Sequence, residues 1–518
     1  MEKTGELYLP HDFHVGKAHE LHGTDRIVYR LFEIFPGFLS WLTLGGVVFL
    51  SFFAPATAAY LIIAFSLFWL LKTVYLSIHV RHNWRRLTHN IKTDWTLLLS
   101  RLKHDYLWHL VLLPYDRENY ETVRGTVKAL SEVNGNRKRM IVVLAPEERA
   151  GNEARRIAER LVEKFNPIFG HMLISVHPKD IPGDTAGKGS NIAHAAETAR
   201  VRILDPQGIS YEDVIVSAFD IDTIVYPQYF ECLMWYFLTT EEPHKASYQP
   251  VPLYNNNIWE APSFSRVAAT SGTFWQMIQQ ERPEKLATFS SHAVSFKALH
   301  EVGYWQRNMV SEDSRIYWNL LFAHNGDYRV VPISYPVSMD ANLAKTTWQT
   351  FKNIYRQNRR WTYGVENVPY ILYHSIKNKK FPFFKKLRLA WVQIEGFWSL
   401  ATHPIVLFSL GWLPLLVGGR EFSTTILSYN LPIVARTFLT LAMGGLIVSA
   451  IISTALLPKR PAHHARTKYI GMLAQWILVP VTMIVFSAIP GLDAQTRLMF
   501  GKYMGFWVTP KYTKSLAD

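Results

Sequence analysis

The chain is short of cysteine: Cys232 is the only one in 518 residues. That excludes an internal disulfide and any zinc site built from thiolates. Charge is also missing over long stretches. Residues 34–71, 396–419, 437–458 and 469–492 contain no Lys, Arg, Asp or Glu. A soluble core helix rarely runs that long without charge, whereas crossing a hydrocarbon layer takes about 20 such residues. Residues 34–71 suffice for two helices with a tight turn near Pro55. No short apolar run with a small-residue cleavage pattern opens the sequence, which argues against a cleaved secretory leader.

The charge that is present has one dominant sign, a net +14. It gathers beside the apolar runs, at Arg81, Arg85, Arg86 and Lys92, and again at Lys377, Lys379 and Lys380. Membrane apposition explains this placement; nucleic acid does not. By the positive-inside rule the region after the first hairpin is cytosolic, as is the basic loop at 459–468. The nearly neutral loop at Arg420 and Glu421 lies outside. Five crossings would strand a basic tail (Arg497, Lys502, Lys511, Lys514) on the outer side. Residues 469–492, which contain Pro480 and Pro490, are therefore expected to be re-entrant, or one segment is miscounted.

These patterns divide the chain into an N-terminal cytosolic segment (1–33), a membrane hairpin (34–80) and a globular domain (105–380). An interfacial amphipathic helix (381–400), about three further spans (401–492) and a tail (493–518) follow. The chain is expected to be an integral protein of a bacterial inner or plasma membrane.

In the globular domain, apolar runs at 107–113, 139–144, 172–176 and 213–219 read as strands. Runs at 120–133, 152–165 and 190–201 read as helices. The alternation predicts an α/β domain with a doubly wound, mostly parallel sheet, whose ligands sit beyond the carboxyl ends of the strands. Carboxylates collect there. The first strand ends in Pro114-Tyr115-Asp116-Arg117-Glu118, the second in Glu147-Glu148 and the fourth in Asp220-Ile221-Asp222. Two aspartates in Asp-x-Asp spacing can share a hard divalent cation with a diphosphate, although a solvated turn has the same spelling.

Gly187-Lys188-Gly189-Ser190-Asn191 opens a helix, a setting suited to phosphate. It is not a P-loop: Pro182 stands where the first glycine is required. Ser311-Glu312-Asp313 precedes a helical run and reads either as an acidic helix start or as a catalytic carboxylate held by one. Gln357, Arg360 and Trp361 lie on a cationic aromatic helix. Arg can pair with phosphate, and Trp can stack on a sugar.

Taken in order, these motifs resemble the membrane-bound family-2 glycosyltransferases of GT-A fold, the group of cellulose and hyaluronan synthases. Pro114-Tyr115-Asp116 looks like the family's nucleotide site, and Lys188 with Asn191 like its Lys-Ala-Gly-Asn stretch. Asp220 and Asp222 look like its Asp-x-Asp, and Glu312-Asp313 like its Thr-Glu-Asp with Ser311 for Thr. Gln357, Arg360 and Trp361 match Gln-x-x-Arg-Trp. The run 506–511 (Phe-Trp-Val-Thr-Pro-Lys) matches Phe-x-Val-Thr-x-Lys, the family's gating loop. One departure is Glu147, which stands where the family has Asp-Asp-Gly.

The resemblance implies inverting transfer of a sugar from a nucleotide donor, expected to be a UDP-sugar, to a growing glycan or lipid-linked acceptor, with export as a further expectation. It implies Asp313 as general base beside Glu312, and Mg²⁺ or Mn²⁺ on Asp220 and Asp222. Donor contacts would come from Pro114, Tyr115, Asp116, Glu118, Glu147, Lys188, Asn191, Asp220, Gln357, Arg360, Thr509 and Lys511. Trp361 would hold the acceptor. Membrane lipids are expected partners and nucleic acid is not. Rival readings are transfer of one sugar to a polyprenyl phosphate, and a transporter or channel with a ligand-sensing domain.

Overall fold

The computed structural model describes residues 7–505 and 507–510. Two long apolar helices open it, α1 (Gly23–Phe53) and α2 (Pro55–Lys92). Pro55 takes the first helical position of α2, where its missing N–H costs nothing. α2 ends in basic residues, His89 and Lys92, which suit the negative end of a helix dipole.

The globular domain is built on eight strands: β1 (Trp108–Tyr115), β2 (Met140–Pro146), β3 (His171–Ile174), β4 (Val214–Ala218), β5 (Ile224–Val225), β6 (Ala246–Tyr254), β7 (Ala293–Ser295) and β8 (Arg329–Met339). Their spatial order is β3-β2-β1-β4-β7-β6-β8-β5. The pairs β1–β2, β2–β3, β1–β4 and β6–β8 are parallel, and β7 runs antiparallel to both β4 and β6.

Helices α3 (Tyr120–Ser131), α4 (Asn152–Phe165), α5 (Lys188–Ala199), α6 (Tyr229–Thr239), α7 (Ser263–Gln280), α8 (Glu312–Ala323), α9 (Thr347–Thr362) and α10 (Asn367–Lys377) complete the domain. Period-two alternation splits β1 between two cores. Leu110 and Leu112 pack with Ile192 and Ala196 of α5, while Val111 and Leu113 pack with Val127 of α3 and Leu161 of α4. Each such buried aliphatic side chain contributes about 1.5–3 kcal/mol. Register sets Tyr115 beside Pro146 and Leu112 beside Ala218, so the carboxyl ends of β1, β2 and β4 open onto one edge.

The α/β class with long flanking apolar helices is the one the sequence predicts, and its helix and strand boundaries shift by a few residues. The helix predicted at 190–201 starts at Lys188. The sheet departs from simple double winding because its second half, β5 to β8, is mixed. β6 was illegible: Pro250 and Pro252 argue against a central strand, yet it pairs on both sides, with a register shift between Gln249 and Val251.

The expected domain borders also move. α1 begins at Gly23, within the predicted cytosolic segment, and Phe13, Val15 and Ala18 ahead of it join the hydrophobic core of the globular domain. The interfacial helix expected at 381–400 and the following span are one continuous helix, α11 (Phe383–Phe408). Its amphipathic start and apolar end run on as one helix that contains Pro404. It bends by 50° into Leu410–Val417. α12 (Ile426–Ala455) follows, then a broken segment, Lys468–Met499. Among the described residues, four helices are long and apolar enough to cross a membrane, or five if the bent pair is one span.

The last segment returns to the face it left. At its start, Lys468 Nζ donates to Trp259 O, and Arg266 Nε donates to Gln475 Oε1 at 2.6 Å. At its end, Thr362 Oγ1 donates to Pro490 O at 3.3 Å and Arg359 pairs with Asp493 at 2.9 Å. Phe486 packs against Phe264 and Phe351 between them. Both ends therefore touch the globular domain.

Candidate active site

Close helix packing builds the centre of the cleft. A Cβ on Gly189 would stand 2.8 Å from Gln306 O and 2.8 Å from Glu312 Cβ. Only glycine allows α5 and α8 to meet so closely at their first turns. Lys188, one residue before Gly189, and Asp313, one residue after Glu312, are brought together. Lys188 Nζ lies 2.7 Å from Asp220 Oδ1 at the end of β4 and 3.0 Å from Asp313 Oδ1. Burial alone would lower the lysine pKa, but Asp220, Asp313 and Glu312 hold it above its usual value.

Glu312 is buried beneath this pair, and burial together with the Asp313 charge pushes its carboxyl pKa up, against Lys188 and Arg360. Ser311 does not cap α8. Its hydroxyl donates to Glu366 Oε1 at 2.6 Å, and its N–H donates to the same oxygen. Fully buried Arg315 ties this floor together. Its Nε donates to Asn367 Oδ1 (2.7 Å), its Nη2 to Glu366 O (3.0 Å) and its Nη1 to Val15 O (3.2 Å).

Asp220 Oδ2 accepts from Ser290 Oγ at 2.8 Å. Asp222 is held from the neighbouring strand: its Oδ2 accepts from Asp340 N at 3.0 Å. Asn256 Nδ2 bridges Asp222 O (3.0 Å) and Asp340 Oδ1 (3.1 Å). Asp220, Asp222 and Asp340 bring carboxylates of the kind a hard divalent cation takes to this side of the cleft, while among the described residues the group with three ligand atoms within 4.8 Å of one another is Glu260, His463 and His464.

His292 is fully buried, 3.8 Å from Asp313 through Nδ1. Trp305 Nε1 can only donate, and it does so to His292 Nε2 at 3.1 Å. Nδ1 therefore carries the hydrogen and gives it to Phe289 O at 2.8 Å. Burial lowers the pKa of this imidazole, against the Asp313 charge.

The predicted residues fall into two groups. Asp220, Asp222, Lys188, Glu312 and Asp313 converge as described. Trp361 joins them, its ring 5.9 Å from Tyr254 and 6.0 Å from Phe289. Tyr254 is buried within the field of Asp220, Asp222, Asp313 and Arg360. Gln357 and Thr509 line one cleft with Asn257, Asp340, Asn342 and Pro510. Arg356 lies over the Trp507 ring at 5.7 Å, so the tail folds back along α9. Lys511 lies outside the described residues.

The first-strand group is placed differently. Pro114 is buried in the sheet, and Tyr115 spends its hydroxyl on Ala154 O at 2.6 Å, facing packing instead of the cleft. Asn191 Nδ2 donates to Ala145 O at 2.8 Å and so fastens α5 to β2. Asp116 and Glu118 turn on each other through Asp116 N and Glu118 Oε2, 2.8 Å apart. Burial raises the Asp116 pKa, with Arg117 opposing. Glu147 pairs with Arg149 at 2.9 Å and with His177 Nδ1 at 3.1 Å, and His177 Nε2 reaches Asp184 at 3.3 Å.

Sequence reasoning missed Ser290, His292, Trp305 and Asp340. Asp340 follows β8, so the strand-end rule would have found it had β8 been recognised. The others belong to no readable pattern.

A family described as Glycosyl transferase family group 2 matches residues 215–447. None of the curated proteins matches the chain. Among solved structures, the mannosyltransferase PcManGT from Pyrobaculum calidifontis, in complex with GDP-Man and Mn²⁺, is 13% identical with a TM-score of 0.44, over 76% of this chain and 99% of that one. S. aureus TarS 1-349 in complex with UDP-GlcNAc is 11% identical with a TM-score of 0.35, over 68% and 93%.

Proposed function

We propose that this chain is a membrane glycosyltransferase of the family-2 kind, moving a sugar from a nucleotide donor to a glycan acceptor. The carrying observation is the junction of Lys188, Asp220 and Asp313, formed where two helix starts meet a strand end. It lies largely inside the stretch matched by the family description. A solvated turn or a simple helix start would not bury a lysine between two aspartates from distant segments.

In this reading Asp313 takes the proton of the acceptor hydroxyl as that oxygen attacks the anomeric carbon. The bond to the diphosphate breaks on the opposite side, so the configuration inverts. Glu312, kept neutral by burial, adds no second negative charge. Trp361, held by Tyr254 and Phe289, is the stacking platform for the acceptor sugar. Asp220 and Asp222 would hold a divalent cation, Mg²⁺ or Mn²⁺, which neutralises the diphosphate leaving group when bound. Arg360 adds charge on the same side, and the tail at Thr509 excludes water. The acceptor is a growing glycan, with successive additions and export as the extension of this reading.

The test is nucleotide release by the purified chain with a panel of UDP- and GDP-sugars and either metal. Asp313→Asn is expected to lower transfer by about 10²–10⁴-fold while nucleotide binding persists. Turnover of no nucleotide sugar, or wild-type transfer by Asp313→Asn, would overturn the assignment.

A further inference from the structure

The loop between α12 and the last segment carries two adjacent histidines, His463 and His464, that no step at the carboxylate cleft uses. The loop folds onto the connection from β6 to α7, which supplies Glu260. Trp259 Nε1 donates to Pro458 O at 3.2 Å, and Lys468 Nζ donates to Trp259 O, so both ends of the loop are tied to that connection. His464 stacks on the Trp259 ring, with centroids 6.1 Å apart. These contacts set both imidazoles beside one carboxylate.

Glu260 Oε1 lies 3.3 Å from His464 Nε2 and 3.7 Å from His463 Nε2. The first contact is long for a charge-assisted hydrogen bond, and the second is beyond hydrogen-bond reach. A metal suits these spacings better. Tetrahedral ligands held by zinc at about 2.0–2.1 Å stand about 3.3–3.4 Å from one another. Each of the three residues offers a ligand atom within 4.8 Å of the other two. Two imidazoles and one carboxylate are a donor set that zinc takes, and a partly open site leaves its remaining position to water.

Lys468 opposes a second cation here: its Nζ lies 3.2 Å from Nδ1 and 3.4 Å from Nε2 of His464. Zinc on Nε2 displaces that contact and leaves the ammonium its bond to Trp259 O. The site is also linked to the wall of the cleft. Glu260 N donates to Asn257 O at 3.1 Å. Asn257 Nδ2 donates to Ala341 O at 3.0 Å, and Ala341 N donates back to Asn257 Oδ1 at 2.8 Å. Asn256, next in the chain, bridges Asp222 and Asp340. A cross-link at Glu260 therefore fastens the loop before the last segment to the wall that carries these aspartates.

We propose that Glu260, His463 and His464 bind a zinc ion, separate from the divalent cation of the cleft, and that this ion staples the loop at 459–468 to the globular domain. The inference goes beyond the glycosyltransferase reading and does not rest on it.

The full chain, without an affinity tag and in nanodiscs, is stripped with a chelator and titrated with Zn²⁺, and bound zinc is counted by elemental analysis. The wild type is expected to hold one more equivalent than His463→Ala, whose exposed side chain can be removed without disturbing the fold. Glu260→Gln, which keeps the shape of the side chain, should lose the same equivalent, its zinc affinity falling at least about tenfold. Co²⁺ in place of zinc should give the visible absorption of a tetrahedral site in the wild type and in Asp222→Asn, but in neither of the other two variants. Zinc should slow tryptic cleavage after Lys459 and Arg466 in the wild type alone. Equal zinc content in wild type, His463→Ala and Glu260→Gln, or loss of the cobalt absorption in Asp222→Asn instead, overturns the site. Zinc bound with cleavage unchanged overturns the staple. None of these readouts depends on sugar transfer.

Discussion

Gly189 and Glu312 decide the geometry of the cleft between them. A methyl group at Gly189 meets a backbone carbonyl, Gln306 O, which cannot rotate away. Gly189→Ala is expected to cost about 1–3 kcal/mol and to part Lys188 from Asp313. Thermal unfolding and transfer rate should fall together; an unchanged melting point would mean that the two helix starts are not in contact. Glu312 bears on pH. Its folded-state pKa is raised, so the folded protein holds this proton more tightly than the unfolded chain. The resulting stabilisation is present below the ordinary carboxylate pKa and is lost as pH rises through the raised value. Glu312→Gln removes that dependence. Its melting temperature relative to wild type should climb as pH rises from the ordinary carboxylate range towards neutrality. A difference flat in pH would place Glu312 in a solvated setting.

Elements carry the next effects. α9 holds Trp361 over the cleft and Arg356 beneath the tail, and it is pinned to the last segment by the half-buried Arg359–Asp493 pair. Breaking that pair leaves a charge without its partner. Asp493→Asn is therefore expected to loosen α9 and to lower transfer more than nucleotide binding. The tail works from the other side. Thr509 is buried against the groove of Gln357 and Asp340. A chain ending at Gly505 should fold, because the core packs without residues beyond it, yet transfer sugar about 10²-fold more slowly. Wild-type kcat in that truncation would remove the tail from the site.

The whole molecule turns on the path of Lys468–Met499. Both of its ends contact the globular domain. The opposite pole is marked by Gly418 against Pro55. Lys468–Met499 is itself long and apolar enough to cross, but we propose that it is re-entrant and that the crossings are α1, α2, α11 with Leu410–Val417, and α12, which leaves the tail on the side of the globular domain. The lone Cys232 is buried, so a Cys232→Ser background allows single reporters. Ala462→Cys and Lys502→Cys should react with an impermeant maleimide from one side of sealed vesicles, and Ser423→Cys from the other. Labelling of Lys502→Cys together with Ser423→Cys would restore a fifth crossing.

Sequence alone determined the apolar runs, the basic flanks, the β–α alternation and the short polar motifs, because each is written in neighbouring residues or in a fixed period. It named Asp220, Asp222 and Asp313 for the same reason. What only the tertiary structure decided is which of these meet. Lys188 bridges two aspartates, a meeting that depends on the close approach at Gly189 and cannot be read along the chain. Tyr115 and Asn191 matched motifs but are spent on backbone carbonyls, because side-chain direction depends on the packed neighbour. Asp340 and Ser290 reach the cleft through β8 and β7, strands hidden by prolines and by shortness. The course of the final segment was likewise undecidable from hydropathy, which measures affinity for lipid and not the direction in which a helix lies.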